Sequence, residues 1–480
     1  MTAASPIPAS SATVSKGPLP GRARVTRIDR RLHANYRNLD AIRRWTWSRI
    51  TPAGALVLWT MAAAGSFTDV SQTLAHQVFA FLGCLSLLSL AWVLGRKPRL
   101  SLTRSIPNNA SVGEPFPVRI QLHNLARRWV RNCQFREGFP DYRPTLEEFA
   151  TLEEPNESHR NWFDRRYRFY RWRWLCNRNI HAVAESIPIP DIPPEGEVRL
   201  TFDLVPRRRG RLTLTAATAA RMDPFRLIRR VNKIQDQPSS IVVYPRRFSL
   251  PRMPLPGLTQ QWQRGGVALA GSVGDSEEFT SIRDYRPGDP MRKFHWAGWA
   301  RTQRPVVKEF QEEYFVRHAM LLDTVGGGPD SDAFEDAVSL AASFACDIDQ
   351  HDTLLDLMFV GDHAYMFTAG RGLAHSAQML EILAGVELRP DGNPADLEEL
   401  VFRHIDRLSG CVLIFLRWDE PRRNLRQRLE IQRVPTLTFI IHPTPAPATL
   451  DLPTRTFWLQ SGNVEETLRS LDPRRFTEFS

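Results

Sequence analysis

The sequence predicts a membrane-anchored, multidomain chain: a two-helix transmembrane hairpin, a β-sandwich, and an α/β doubly wound domain. Three observations carry that expectation. Between Arg49 and Arg96 the only formal charge is Asp69. From about residue 100 to 250, short runs such as "PFPVRIQLHN" and "EVRLTFDLVP" alternate apolar and polar residues between Pro and Gly turns. From about residue 315, apolar strands alternate with amphipathic helices, as in a parallel sheet covered on both faces.

The net charge of +11 suggests nucleic acid until it is located along the chain. Residues 1–50 hold ten basic and two acidic residues, Asp69 subtracts one charge, and Arg96, Lys97, Arg99 and Arg104 add four. Residues 105–480 therefore sum to zero, and no nucleic-acid partner is favoured. The basic excess flanks one apolar segment instead.

That segment, 46–98, is the predicted anchor. Its two runs, 50–68 and 76–95, each approach the roughly 20 residues that span a bilayer. A cleaved signal peptide is disfavoured because the apolar run begins about fifty residues in and repeats. Two buried core helices would show a polar face, which these runs lack. Basic clusters sit outside both ends and none lies in the loop. The positive-inside rule then places a two-pass hairpin in the inner (cytoplasmic) membrane, with both termini in the cytoplasm. Five scattered cysteines without CxxC spacing indicate neither zinc nor a disulfide framework.

Residues 1–45 read as a disordered, basic tail, richest in Ala, Ser and Pro over the first 25. The sandwich is expected over 99–250, interrupted by an insertion at 155–185. Within it, residues 159–178 carry seven arginines and seven aromatics. Three readings stay open: stacking on single-stranded nucleic acid, contact with anionic lipid headgroups, or a β-hairpin with rings inward and arginines outward.

In the last domain, 313–480, "HAMLLD" (318–323), "LLDLMFV" (354–360), "CVLIFL" (411–416) and "TLTFII" (436–441) read as strands. Helices are expected at 331–349, 373–386 and 396–409, with a charged one before the last strand. The first buries Phe334, Ala337, Val338, Ala341, Phe344, Ala345 and Ile348 on one stripe. In such sheets ligands sit beyond the carboxyl ends of the strands, here at Asp323, Asp362, Asp419 and His442.

Asp323 is therefore the first candidate site residue. The loop "DTVGGG" resembles the metal loop of the von Willebrand factor type A fold, Asp-x-Ser-x-Ser, but has Val325 and Gly327 at the serine positions. Asp419 could stand for that fold's later aspartate and Thr368 for its threonine. Such a degenerate remnant would hold Mg²⁺ weakly at most, so no cofactor is expected and Asp323 is read as capping its turn.

The segment 251–312 is the second candidate. "RPGD" (286–289) fits a turn, and Asp289–Pro290 fits a helix start covering "PMRKFHWAGWAR". A catalytic reading would make Asp289, His295 and Asp323 a metal-assisted hydrolase, or pair Asp284, Asp289 and Lys308 as a nuclease-like centre. Neither shows hydrolase spacing, every acid has an arginine neighbour in sequence, and the expectation is no enzyme.

"EFTSIRDYRPGDPMRKFHWAGWARTQRPVVKEF" resembles the signature of the family catalogued as domain of unknown function 58. It matches at Glu278, Phe279, Arg283, Tyr285, Gly288, Asp289, Arg292, Trp296, Ala300, Arg301, Lys308 and Glu309. The resemblance extends to "LVPRRRGRLTL" and "RMDPFRLIRR", where Arg226 replaces the glycine usual after Asp-Pro-Phe. It implies a von Willebrand factor type A-like domain in 313–480 and a partnership with a MoxR-type AAA+ ATPase. The implied function is a membrane-tethered, non-enzymatic adaptor, docking through Glu278, Arg283, Tyr285, Asp289, Arg292, Trp296, Arg301 and Lys308.

Overall fold

The computed structural model describes residues 25–66, 73–94, 97–154, 157–251, 253, 279–287, 289, 291, 294–310, 317–325, 331–348, 354–361, 363–369, 373–389, 392–447 and 451–471. They form two compact units. One joins the chain up to Leu94 with 141–180 and 223–230; the other holds the remainder.

The first unit is helical. Arg27–Arg49 forms a helix whose N-terminus is closed by a capping box between Thr26 and Asp29. The disordered tail expected over 1–45 is thus corrected from residue 27 onward, while residues 1–24 lie outside the described ones. His33, Phe149, Leu175 and Trp172 are buried together, and the His33 ring meets the Pro144 carbonyl at 3.0 Å. The β-hairpin reading of 159–178 is also corrected. The segment forms the helices Trp162–Tyr167 and Phe169–Arg178, and Arg171, Trp172, Leu175 and Cys176 bury with helical, not two-residue, spacing. Arg171 buries because Glu157 and the Phe149 carbonyl satisfy its guanidinium.

Two apolar helices follow, Pro52–Ser66 and Thr73–Leu94, packed against each other. Of the described helices one, over Leu74–Leu94, is long and apolar enough to cross a membrane. Pro52–Ser66 has 15 residues, short of the expected span. Both are held by the turn 223–228. Buried Asp223 accepts from Ser89 Oγ at 2.9 Å and from the Phe225 and Ile228 amides. Thr51 Oγ1 donates to the turn's carbonyls, and a Cβ on Gly54 would stand 2.1 Å from Leu227 O, so only glycine fits there. Arg226 in this turn has φ +57, in the left-handed region that glycine enters without cost.

The second unit begins with the β-sandwich. One sheet orders β10 (Gln235–Asp236), β1 (Leu100–Ser105), β3 (Phe116–Asn124), β7 (Glu197–Pro206) and β5 (Ala182–Ala184). The other orders β2 (Asn109–Ser111), β11 (Ser239–Tyr244), β8 (Gly210–Met222), β4 (Cys133–Gly138) and β6 (Ile187–Ile189), with β9 (Arg229–Lys233) also on β8. Strand β3 shows the alternation that marked it in sequence, burying Phe116, Val118, Ile120 and Leu122. Arg104 of β1 reaches across to Glu137 of β4 at 2.7 Å and also meets Asp236 at 2.6 Å, all with nearly inaccessible side chains.

After the hairpin β12 (Phe279–Asp284) and β13 (Val306–Phe310) comes a six-stranded mixed sheet. Its strands are β14 (Arg317–Leu322), β15 (Leu354–Val360), β16 (Ala364–Ala369), β17 (Gly410–Phe415), β18 (Thr436–His442) and β19 (Thr456–Gln460). They lie in the order β16-β15-β14-β17-β18-β19, doubly wound, with β16 antiparallel and the rest parallel. Residues of β17 are buried throughout, as an inner parallel strand requires. Helices Ser331–Ile348, Leu373–Gly385 and Val464–Ser470 cover one face, and Pro394–Arg403 with Glu420–Ile431 the other. The predicted stripe from Phe334 to Ala345 lies in the larger core. Strands β16 and β19 and the final helix were not anticipated.

Arg209, in the loop before β8, ties the sandwich to this domain. Its Nε and Nη2 donate to the carbonyls of Leu383 and Val386 at 3.2 and 2.5 Å, and its guanidinium pairs with Glu335.

Candidate functional site

The strand order reverses between β14 and β17, where doubly wound sheets place ligands. Asp323 follows β14 and Asp419 caps the helix that follows β17, so the chain brings both predicted carboxylates to the switch point. Between them lies a guanidinium. Arg422 Nε donates to Asp323 Oδ2 at 2.6 Å, Nη1 to Asp419 Oδ2 at 2.5 Å, and Nη2 to the Val325 carbonyl. Asp323 also accepts from the amides of Val325 and Leu416 at 3.0 and 3.3 Å.

Burial pushes the Asp323 carboxyl up, against the pull of Arg422 and the two amides; burial also pulls Arg422 down, but Asp323 and Asp419 together outweigh it and hold the guanidinium above its ordinary range. Arg422 thus bridges the two carboxylates. The reading of Asp323 as a turn cap holds through its bond to the Val325 amide, with the guanidinium as an addition. Thr368, the candidate threonine, accepts from Arg317 on the sheet edge. His442 bonds Thr444 and lies against Trp458. Asp362 lies outside the described residues.

The signature segment forms a second, chemically different place. Antiparallel β12 and β13 set Arg283 opposite Val307 and Ile282 opposite Lys308. Arg283 clamps Asp289 with two bonds of 2.8 Å, and Asp289 also accepts from the Arg286 amide at 2.8 Å, closing the turn. These partners hold the Asp289 carboxyl down to about 2.

One unbroken helix over "PMRKFHWAGWAR" is corrected: Phe294 bridges to Val307, and the α-helix runs Trp296–Thr302, where His295 Nδ1 caps it by accepting from the Gly298 amide at 3.0 Å. Pro290 lies outside the described residues. Asp289 bonds Arg283, His295 caps its own helix and Asp323 bonds Arg422. Among the described residues no cluster of three His, Cys, Asp or Glu side chains could hold a metal.

Aromatic packing gives this segment its surface. Phe294 is buried, and Tyr285, Trp296 and Trp299 lie against it with ring centroids 5.1, 5.4 and 5.5 Å away. The two tryptophans stack at 5.6 Å, yet Trp296 stays 61% exposed, as do Met291 at 69% and Ile282 at 45%. Arg301 is exposed and Lys308 half-buried. Glu278 and Arg292 lie outside the described residues. Sequence reasoning singled out Trp296, covered Met291 only as part of the expected helix, and missed Ile282 and Arg422. Ile282 lacked charge, and Arg422 sits in a helix noted only as charged.

A third feature is an open cleft of about 610 Å³, lined among others by Phe359, Tyr365, Glu381, Ile382, Val386 and Arg389. It lies past the carboxyl end of β15, beside the switch point.

Comparison with known proteins is consistent with the signature. An uncharacterized protein, YeaD, of Bacillus subtilis (strain 168) is 28% identical over 149 residues, 30% of this chain and 35% of that protein. The match thus spans about a third of the relative's length. Among solved structures, a CARDB domain of Pyrococcus furiosus aligns with 31% of this chain and 96% of its own, at 12% identity and TM-score 0.16. An aerotolerance-related membrane protein of Bacteroides fragilis aligns with 34% of this chain and 100% of its own, at 9% identity and TM-score 0.24. Neither score informs the fold. Residues 281–416, from the signature hairpin through β17, match the family model described as Protein of unknown function DUF58.

Proposed function

We propose that the protein is a membrane-tethered, non-enzymatic adaptor that docks a MoxR-type AAA+ ATPase through the hairpin of residues 279–310. The carrying observation is the exposed set Trp296, Met291 and Ile282 on a hairpin pinned by Arg283 and Asp289. Exposed tryptophan beside arginine is the composition of protein-binding centres, and the surrounding charges supply partner choice. On this reading the apolar helices form a two-pass anchor in the cytoplasmic membrane with both termini inside. The 313–480 domain is von Willebrand factor type A-like, a reading supported by its doubly wound order and by Asp323 and Asp419 at the switch point. Arg422 then stands where that fold would hold its metal.

The test is cross-linking of tagged full-length protein in its native membrane, followed by purification and identification of what is retained. An AAA+ ATPase retained by wild type and lost from a folded Trp296→Ser or Arg292→Glu variant supports the proposal. No ATPase under any nucleotide condition overturns it.

A further inference from the structure

The helix Arg27–Arg49 has two faces that the proposed docking role does not use alike. Asp29, His33, Tyr36 and Asp40 recur at helical spacing on one side, and each is engaged within the first unit. Arg168 pairs with Asp29, His33 meets Pro144, Tyr36 donates to the Tyr167 carbonyl at 2.8 Å, and Asp40 binds Arg43 and Arg44. Turned away from that side, Leu39, Ile42 and Trp45 recur every third residue and are 60%, 61% and 58% exposed. A soluble helix buries its apolar stripe. This one buries its two aspartates and leaves the stripe bare.

We infer that the Leu39–Ile42–Trp45 face lies in the plane of an anionic lipid surface, as an interfacial helix. Three observations select lipid over a protein partner. The helix holds seven arginines and only two acidic residues, Asp29 and Asp40, both buried, so the charge it presents is positive. Arg49 lies over the Trp45 ring at 4.7 Å, joining an aromatic body and a cation at one level, as headgroup-depth residues do. The helix ends at Arg49, and the apolar helix that packs on the Leu74–Leu94 span begins at Pro52. The stripe is thus continuous in sequence with the segment most apolar in the chain. An apolar stripe bordered by arginines is the pattern that lies along a bilayer rather than through it.

The inference rests on the membrane-anchor reading, and one experiment separates the two. Full-length protein carrying Cys84→Ser and Cys346→Ser is reconstituted in phosphatidylcholine vesicles containing phosphatidylglycerol. Spin labels are placed singly at Ile42→Cys, at Arg37→Cys off the stripe, and at Phe81→Cys in the apolar span. Collision with oxygen is compared with collision with a water-soluble nickel chelate.

The expected result is an oxygen-to-nickel ratio severalfold higher at position 42 than at 37, and higher still at 81. A ratio at 42 equal to that at 37, with 81 still oxygen-rich, overturns the interfacial helix and leaves the anchor standing. A label at 42 shielded from both reagents means a protein covers the stripe, which also overturns it. A label at 81 open to nickel fails the anchor reading itself, and the inference falls with it. Leu39→Cys in the same background repeats the measurement should the Ile42 variant not fold.

Discussion

Two Arg–Asp pairs in this chain use the same chemistry in opposite settings. Arg283 and Asp289 meet on the signature hairpin with side chains 37% and 17% accessible; Arg422 and Asp323 meet at the switch point with 6% and 1%. The first is a two-pronged clamp on one carboxylate, bridging the turn 284–289. The second spreads one guanidinium over Asp323, Asp419 and a backbone carbonyl. In water, attraction between such charges is largely repaid to solvent, so the exposed pair fixes a local shape. Inside the protein neither partner can be removed without stranding the other, so the buried pair ties the loop after β14 to the helix that follows β17.

The largest expected effect is at Arg422. Arg422→Ala should cost about 3–5 kcal/mol in denaturant unfolding, because Asp323 is left buried and unpaired. If millimolar Mg²⁺ restored stability to that variant, a latent cation position would be exposed behind the guanidinium. Arg422→Lys keeps the charge but loses the fork. It should forfeit about 1–3 kcal/mol for the unmade bonds, and equality with wild type would show that charge alone suffices.

At the surface pair, Arg283→Ala should leave the unfolding midpoint unchanged while the Arg286 amide loses hydrogen-exchange protection. A cooperative loss of stability would instead make the hairpin part of the core, and the contrast would fail. The smallest effect is one of pH. Asp289 is held below its ordinary 3.8, at about 2, so its contribution is fully present above 3.8 and is lost as pH falls toward 2. Protection of the Arg286 amide should fade in that window, and its persistence at the acid end would show that the turn closes without the carboxylate.

The same contrast explains what could be read from the residues. Asp323 was visible because it ends an apolar run, and run ends in α/β sheets are predictable places. Its partner was not, since 99 residues separate Asp323 from Arg422 and only the strand order brings them together. Arg283 and Asp289 are six apart across a Pro-Gly turn, so their proximity was legible although the choice among several arginines was not. The α-helix at 296–302 begins where His295 caps it, a use of that side chain the letters did not announce. Residues 159–178 misled for a reason of period. Rings and arginines alternate in the letters, but burial of Arg171, Trp172, Leu175 and Cys176 follows the three-to-four spacing of a helix.

Arg209 has a mechanical consequence. Its guanidinium grips the carbonyls of Leu383 and Val386, and Val386 is also a wall of the cleft beside β15. Bonds of this kind break with displacements of under an ångström, so the sandwich loop and that wall must travel together or part abruptly. Force applied to the sandwich reaches the cleft through this side chain together with the packing of the Leu373–Gly385 helix on β8 and β11, and the Arg209 share of that path has a yield point where an elastic linker would only stretch.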